Sequence, residues 1–329
     1  MSELRWNPLL EEWVITATHR QERTFHPPAD FCPLCPTRSG AFETEIPEPE
    51  YDLAVFENRF PSLQLPPPKA AVRGSALLPV QPAAGLCEVV VYSSRHDGTL
   101  AQESTAQIAK LVEVWCDRFR ELGQRPEIKY VLIFENKGEA IGVTLSHPHG
   151  QIYAFPFIPP IPNREIRAMR RALRQTHRCL LCSVLAAERR AATRVVYENA
   201  GFTAVVPFYA RYPYEVHLLA RRHVGDLLQL DAAERRQLAD ALKRVTAGYD
   251  RLFGFSFPYM MLLHQQPTDG RRHPYFHFHI EFLPPYRTAS KLKYLAGCES
   301  GAGTYINDSL AEEKAAEMRI AIERCIVTA

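Results

Sequence analysis

An excess of either charge is what this chain most plainly lacks. Its 39 lysines and arginines stand against 37 acidic residues, a formal net charge of +2 over 329 residues. So small a surplus argues against a polyanion scaffold or a membrane-surface protein. Long apolar runs are missing too: no stretch approaches the roughly 20 residues that span a bilayer. The opening Met1-Ser2-Glu3-Leu4-Arg5-Trp6 is not a basic, apolar leader. The expectation is a cytoplasmic protein without a membrane partner, long enough for two domains of roughly 150 residues. One Arg-rich stretch, Asn163 to His177, has good helix formers but no interleaved aromatic platform. It reads as a connecting helix with a solvated basic face, and no nucleic-acid partner is expected.

Eight cysteines are present, and four of them form two C-x-x-C pairs, Cys32/Cys35 and Cys179/Cys182. In a chain without an export signal, close pairs read as metal or redox sites before disulfides. Each pair is followed by histidines at repeating distances, which favours metal.

The repetition extends further. Glu88 to His96 and Glu215 to His223 both begin with Glu, alternate like a half-buried strand and end in Arg-His. Eight residues after each histidine comes a helix start with capping chemistry, Ser104 with Gln107 and Asp231 with Glu234. The helices that follow carry Ile108, Leu111, Trp115, Phe119 and Leu122, then Leu238, Leu242, Val245, Tyr249 and Leu252, at helical spacing. Apolar strands follow at Tyr130 to Phe134 and Tyr259 to Leu263. His147-Pro-His149 and His277-Phe-His279 close the two units. Two copies of one unit, over about 30–160 and 178–286, are expected. The proline cluster Pro156 to Pro162 reads as neither helix nor central strand and marks a domain exit. Leu63 to Pro82, also proline-rich, reads as an irregular loop.

Zinc prefers tetrahedral thiolate and imidazole ligands, and a C-x-x-C turn supplies two thiolates on one side. In the first copy the remaining ligands are His96 and one of His147 and His149. In the second they are His223 and His277, beside Cys179 and Cys182. The copies differ where chemistry would occur. Gln151 follows the first histidine pair, whereas Glu281 stands at the equivalent place in the second. A neutral imidazole can attack phosphorus if its other nitrogen is held by an acceptor and donors surround the phosphoryl oxygens. A carboxylate there would repel the substrate, so the first copy is the catalytic one.

His147-Pro-His-Gly-Gln151, preceded by Phe134-Glu-Asn-Lys-Gly138 and Gly142, resembles the galactose-1-phosphate uridylyltransferase family of the histidine-triad superfamily. Arg5-Trp-Asn-Pro-Leu9 and His19-Arg-Gln-Glu-Arg23 are similar to it as well, and the likeness covers nearly the whole chain. The resemblance implies an α+β fold, a duplicated histidine-triad-like domain with mostly antiparallel half-barrel sheets and outer helices. It divides the chain into a catalytic unit over 1–162 and a second over 163–329. It implies exchange of UMP between UDP-glucose and galactose-1-phosphate by a ping-pong route through a uridylyl-histidine on His149, with UDP-galactose and the hexose-1-phosphates as partners. Gln151 then holds phosphoryl oxygens. Asn58, Asn136, Gly142 and Thr144 fall where the family binds nucleotide and phosphate, Arg20 and Arg23 near the phosphates, and Lys293 and Glu299 on the hexose side. The family's structural zinc falls on Cys32, Cys35, His96 and His147, and a homodimer is implied.

Some members hold a second metal with a glutamate and three histidines. Those positions read Glu165, His264, His279 and Glu281 here, with one histidine replaced. The second C-x-x-C matches relatives with two zinc sites, so Cys179, Cys182, His223 and His277 are the expected second zinc ligands. Cys298 stands where many members have tyrosine, and Gly301 to Asn307 resembles a nucleotide-sugar phosphorylase branch. The alternatives are therefore a phosphorylase joining phosphate to a donor such as ADP-glucose, or a zinc-stabilised nucleotide-binding protein without turnover.

Overall fold

The computed structural model describes residues 2–23, 31–38, 40 and 43–327, except for the side chains of 22–23 and 326–327. The chain opens with β1 (Ser2–Asn7) and β2 (Glu12–Ala17). Next come β3 (Ala54–Glu57), β4 (Val80–Pro82), β5 (Leu86–Val91), α1 (Thr105–Gly123), β6 (Tyr130–Lys137) and β7 (His149–Phe155). Two helices follow, α2 (Pro160–Thr176) and α3 (Leu180–Ala191). The second run is β8 (Val195–Glu198), β9 (Phe202–Val205), β10 (Val216–Ala220), α4 (Ala232–Leu252), β11 (Tyr259–His264) and β12 (His279–Leu283). A short hairpin of β13 (Tyr286–Thr288) and β14 (Lys291–Leu292), then α5 (Gly297–Ala302) and α6 (Ala311–Val327), complete it.

The duplication is visible in the strand order. One nine-stranded sheet runs β3-β5-β7-β6-β11-β12-β10-β9-β8, with every neighbouring pair antiparallel. From the seam between β6 and β11 outward, the first unit reads β6, β7, β5, β3 and the second β11, β12, β10, β9. The two expected half-sheets are thus fused edge to edge, with Phe134 opposite Leu262 at the join. Fusion removes an exposed edge from each unit. A smaller sheet, β2-β1-β4, lies apart from it, so the expected irregular loop contributes one short strand.

Residues opposite one another across antiparallel strands share a face. One face therefore carries His149, Gln151, Asn136, Val89 and Phe56 in the first unit, and His279, Glu281, His264, His217 and Leu219 in the second. The other face carries Val90, Ile133, Ile152, Leu218, Leu263 and Ile280, all buried in the main core with the apolar stripes of α1, α4 and α6. The predicted stripe residues are buried on both long helices, with Leu252 packed at the margin. Asp231 and Glu234 form a reciprocal capping box. Ser104 caps α1, but the Gln107 side chain turns away to the carbonyls of Asp52 and Tyr92.

Two sequence expectations change. The register places Val89 opposite Gln151 and His217 opposite Glu281, so Glu88 is equivalent to Val216 rather than Glu215. A one-residue offset reverses the face. Glu88 pairs with Arg118 of α1, and Glu215 points to the opposite side beside His217. The proline cluster also enters a helix: Pro160 and Pro162 occupy the first turn of α2, where a missing N–H costs nothing. α2 and α3 pack Ile166, Met169, Leu181 and Leu185 against Val205 and Leu219, covering the second unit on its remaining face. No helix among the described residues is long and apolar enough to cross a membrane.

Candidate active site

β7 alternates from its first residue: Gly150, Ile152 and Ala154 are buried while His149, Gln151 and Tyr153 face the cleft side. The His149 Nδ1–H donates to the His147 carbonyl at 2.8 Å. That bond fixes the tautomer and leaves the Nε2 lone pair directed away from the backbone. Burial pushes the His149 pKa down, which keeps the ring neutral. Beside it, Asn58 Nδ2 donates to Gln151 Oε1 at 3.5 Å, leaving the Gln151 amide as a free donor. Asn58 is itself held by accepting the Phe60 N–H at 2.9 Å.

Two lobes of one cleft meet at His149. The larger, roughly 640 Å³, is lined mostly by polar residues, with Asn136, Lys137, Thr144, Ser146 and Ser256 beside the acidic Asp97, Glu135 and Glu139. The smaller, roughly 200 Å³, is apolar with Phe31, Leu34, Phe56, Phe60 and Val89, and has Asn58 and Gln151 at its side. Asn136, Thr144 and His149 border both, and Gly142 borders the smaller. The structure therefore brings His149, Gln151, Asn58, Asn136, Gly142 and Thr144 together. Arg20 lies nearby, donating to the Phe60 carbonyl at 2.7 Å and to the Tyr153 hydroxyl at 3.4 Å. The Arg23 side chain lies outside the described residues. Lys293 and Glu299 pair with each other at 3.2 Å, and neither borders the two lobes. The phenylalanines of the apolar lobe escaped the sequence reading. Phe56 carries a signal, an aromatic at an alternating strand position, but Phe31 and Phe60 sit in loops with none.

Both cysteine sets assemble. Cys35 Sγ lies 3.4 Å from His96 Nδ1 and 3.6 Å from His147 Nδ1, and Cys32 Sγ lies 3.8 Å from His147 Nδ1. In the second set Cys182 Sγ is 3.3 Å from His277 Nδ1 and 3.7 Å from His223 Nδ1, and Cys179 Sγ is 3.5 Å from His277 Nδ1. A tetrahedral ion with Zn–S and Zn–N bonds of about 2.3 and 2.0 Å has S···N edges of about 3.5 Å, so both sets fit. The outer nitrogens are occupied as a ligand requires. His147 Nε2–H donates to the Ser93 carbonyl and His277 Nε2–H to the Ala220 carbonyl, each at 2.8 Å, leaving Nδ1 free for metal. Burial and then the neighbouring thiol push Cys35 up to about 11 and Cys182 up to about 12 without an ion, the state a cation would reverse.

A third set is assembled as well: Glu165, His264, His279 and Glu281 bring ligand atoms within 4.8 Å of one another. The cysteine and carboxylate–histidine sets are thus not alternatives. His279 repeats the His149 geometry, with Nδ1 on the His277 carbonyl at 2.9 Å. Its Nε2, however, faces Glu165 at 3.9 Å instead of an open cleft. His264 Nε2 is buried without a hydrogen-bond partner, as a metal-directed nitrogen would be. Arg211 crosses to Glu281 at 2.5 Å and Glu215 at 3.1 Å, adding a positive charge on the far side.

Comparisons with known proteins cover both halves of the chain. The family model for the galactose-1-phosphate uridyl transferase N-terminal domain matches residues 1–159, and that for the C-terminal domain matches 165–325. The galactose-1-phosphate uridylyltransferase of Thermotoga maritima is 46% identical over 97% of this chain and 98% of its own. The rat protein of the same name is 33% identical over 96% and 87%. A solved uridylyltransferase structure covers 98% of this chain and 99% of its own, at 34% identity and a TM-score of 0.88. An ADP-glucose phosphorylase from Arabidopsis thaliana covers 97% and 98%, at 26% identity and a TM-score of 0.74.

Proposed function

The chain belongs to the galactose-1-phosphate uridylyltransferase family, and from that premise we propose that it exchanges UMP between UDP-glucose and galactose-1-phosphate through an adduct on His149. The observation that carries the reading is the His149 Nε2, whose lone pair stands where the apolar and polar lobes meet. A pyrimidine fits the aromatic lobe, and the diphosphate and hexose extend into the polar one. Nε2 attacks the α-phosphorus as the bond to the bridging oxygen breaks, and hexose-1-phosphate leaves. An oxygen of the second hexose-1-phosphate then attacks the same phosphorus, breaking the P–N bond and freeing the imidazole. The Gln151 amide donates to the phosphoryl oxygens as charge gathers on them. No proton need move at His149, because the Nδ1–H stays on the His147 carbonyl throughout.

The two cysteine sets are read as structural zinc sites, the first fixing His147 and with it the strand leading into His149, the second fixing His277. We take the chain as two units dividing after residue 162, and by family resemblance as a cytoplasmic homodimer in which Lys293 and Glu299 serve the hexose. The likeness to an ADP-glucose phosphorylase and the Gly301 to Asn307 tail favour a second reading, with phosphate as acceptor. Initial rates separate the two. With galactose-1-phosphate varied against UDP-glucose, the proposal expects parallel double-reciprocal lines. ADP-glucose consumed with phosphate, and no exchange with galactose-1-phosphate, would support the phosphorylase instead.

A further inference from the structure

Beneath the reactive strand lies a polar trio that the exchange chemistry does not use. Glu135 on β6 is 4% exposed, and its two oxygens accept the hydroxyls of Tyr92 and Tyr259, each at 3.2 Å. Tyr92 also touches the strand on both sides of His149. Its backbone N–H donates to the Pro148 carbonyl at 3.0 Å, and its hydroxyl lies under Gly150. A Cβ on Gly150 would overlap that hydroxyl and press on the Phe134 carbonyl at 3.0 Å. Gly150 is thus required by what lies below the strand. Tyr259 reaches the trio from β11, across the seam.

The second unit shows what packing alone demands at these positions. By register, Tyr92, Glu135 and Gly150 are equivalent to Ala220, Leu263 and Ile280. All three of those are apolar and at most 2% exposed. Burying a carboxylate is unfavourable even when hydrogen-bonded, and an apolar solution of the same fold exists in the same chain. The costly solution is placed only beneath His149 and Gln151.

We infer that Glu135 is a positioning residue: through the Tyr92 hydroxyl it sets the height of Gly150, and so the aim of His149 and Gln151, while Tyr259 ties that floor to the second unit. The inference rests on the reading of His149 as the reacting group. The test is steady-state exchange with UDP-glucose and galactose-1-phosphate in the full-length, metal-loaded protein, with melting temperatures measured alongside. Tyr92→Phe and Glu135→Ala are expected to lower kcat about tenfold to a hundredfold, the scale of a small misplacement of reacting groups. KM for UDP-glucose stays within about twofold in Tyr92→Phe, since Tyr92 borders neither lobe whereas Glu135 borders the larger one. Glu135→Gln, which still accepts a phenol hydrogen, recovers part of the loss. Tyr92→Phe keeps the shape and decides the matter alone if Glu135→Ala does not fold. Wild-type kcat in Tyr92→Phe, whatever its melting temperature, overturns the positioning role while leaving the His149 reading intact. A wild-type protein that exchanges nothing overturns the His149 reading, and the positioning role with it.

Discussion

His149 and His279 have the same hydrogen bond to the carbonyl two residues before them, so intrinsic imidazole chemistry does not distinguish them. Their neighbours do: Asn136 and Gln151 flank the first, His264 and Glu281 the second. His149→Gly should therefore abolish exchange, and His279→Ala should retain the His149 adduct in an adduct assay. Gln151→Ala should keep the nucleophile but lose about 10²–10³ in kcat if its amide acts as other oxyanion donors do. Glu135 offers a titration test. Burial raises its pKa from 4.5 to about 7, so the folded state keeps a proton that the unfolded state has released. Its contribution to stability is full below about pH 4.5 and is lost as pH rises toward 7. Relative to Glu135→Gln, the wild type should lose about 3 kcal/mol across that window; parallel denaturation curves at pH 4.5 and 7.5 would contradict this. His149 and Gln151 were legible because their motif is contiguous. The Tyr92–Glu135–Tyr259 floor was not, since its members lie far apart in the chain and meet only through strand pairing.

Among the elements, the long helices were the most legible, because their apolar stripes repeat over five or six turns and Asp231–Glu234 is a local signal. Strand equivalence was the least. Similar Glu-to-His stretches suggested one alignment, and the bonded register shifted it by a residue, since the loop after β5 is one residue longer than that after β10. β10 is buried on both faces, Leu219 under α2 and α3 and Leu218 in the main core, which erases the alternation that would have fixed its phase. The metal sets were legible as ligand types, and folding brought each together at tetrahedral spacing. Cys32→Ser should lower zinc content by about one ion per chain and reduce the melting temperature, and Cys179→Ser should do the same at the second set. Plasma emission analysis checks the count; full zinc in both variants would remove the assignment. Iron recovered alongside zinc would point to the Glu165, His264, His279 and Glu281 set.

For the whole molecule, the seam makes the two units one cooperative body. A single buried cluster contains Val90 and Ile152 from the first unit, Leu218 and Ile280 from the second, and Met318 from α6. Calorimetry of the zinc-loaded protein should show one unfolding transition, and two separated transitions would contradict the shared core. The duplication was readable from the repeated motifs, but the edge-to-edge fusion was not, because neither β6 nor β11 carries a sequence mark of its partner. On this body one unit keeps an open imidazole and the other closes its equivalent with carboxylates. The most direct test supplies UDP-glucose with no acceptor and measures intact and peptide masses. The account predicts release of glucose-1-phosphate in proportion to enzyme and one uridylyl group, on His149, discharged by galactose-1-phosphate. Exchange at normal rates with sequential kinetics and an unmodified His149 would contradict it.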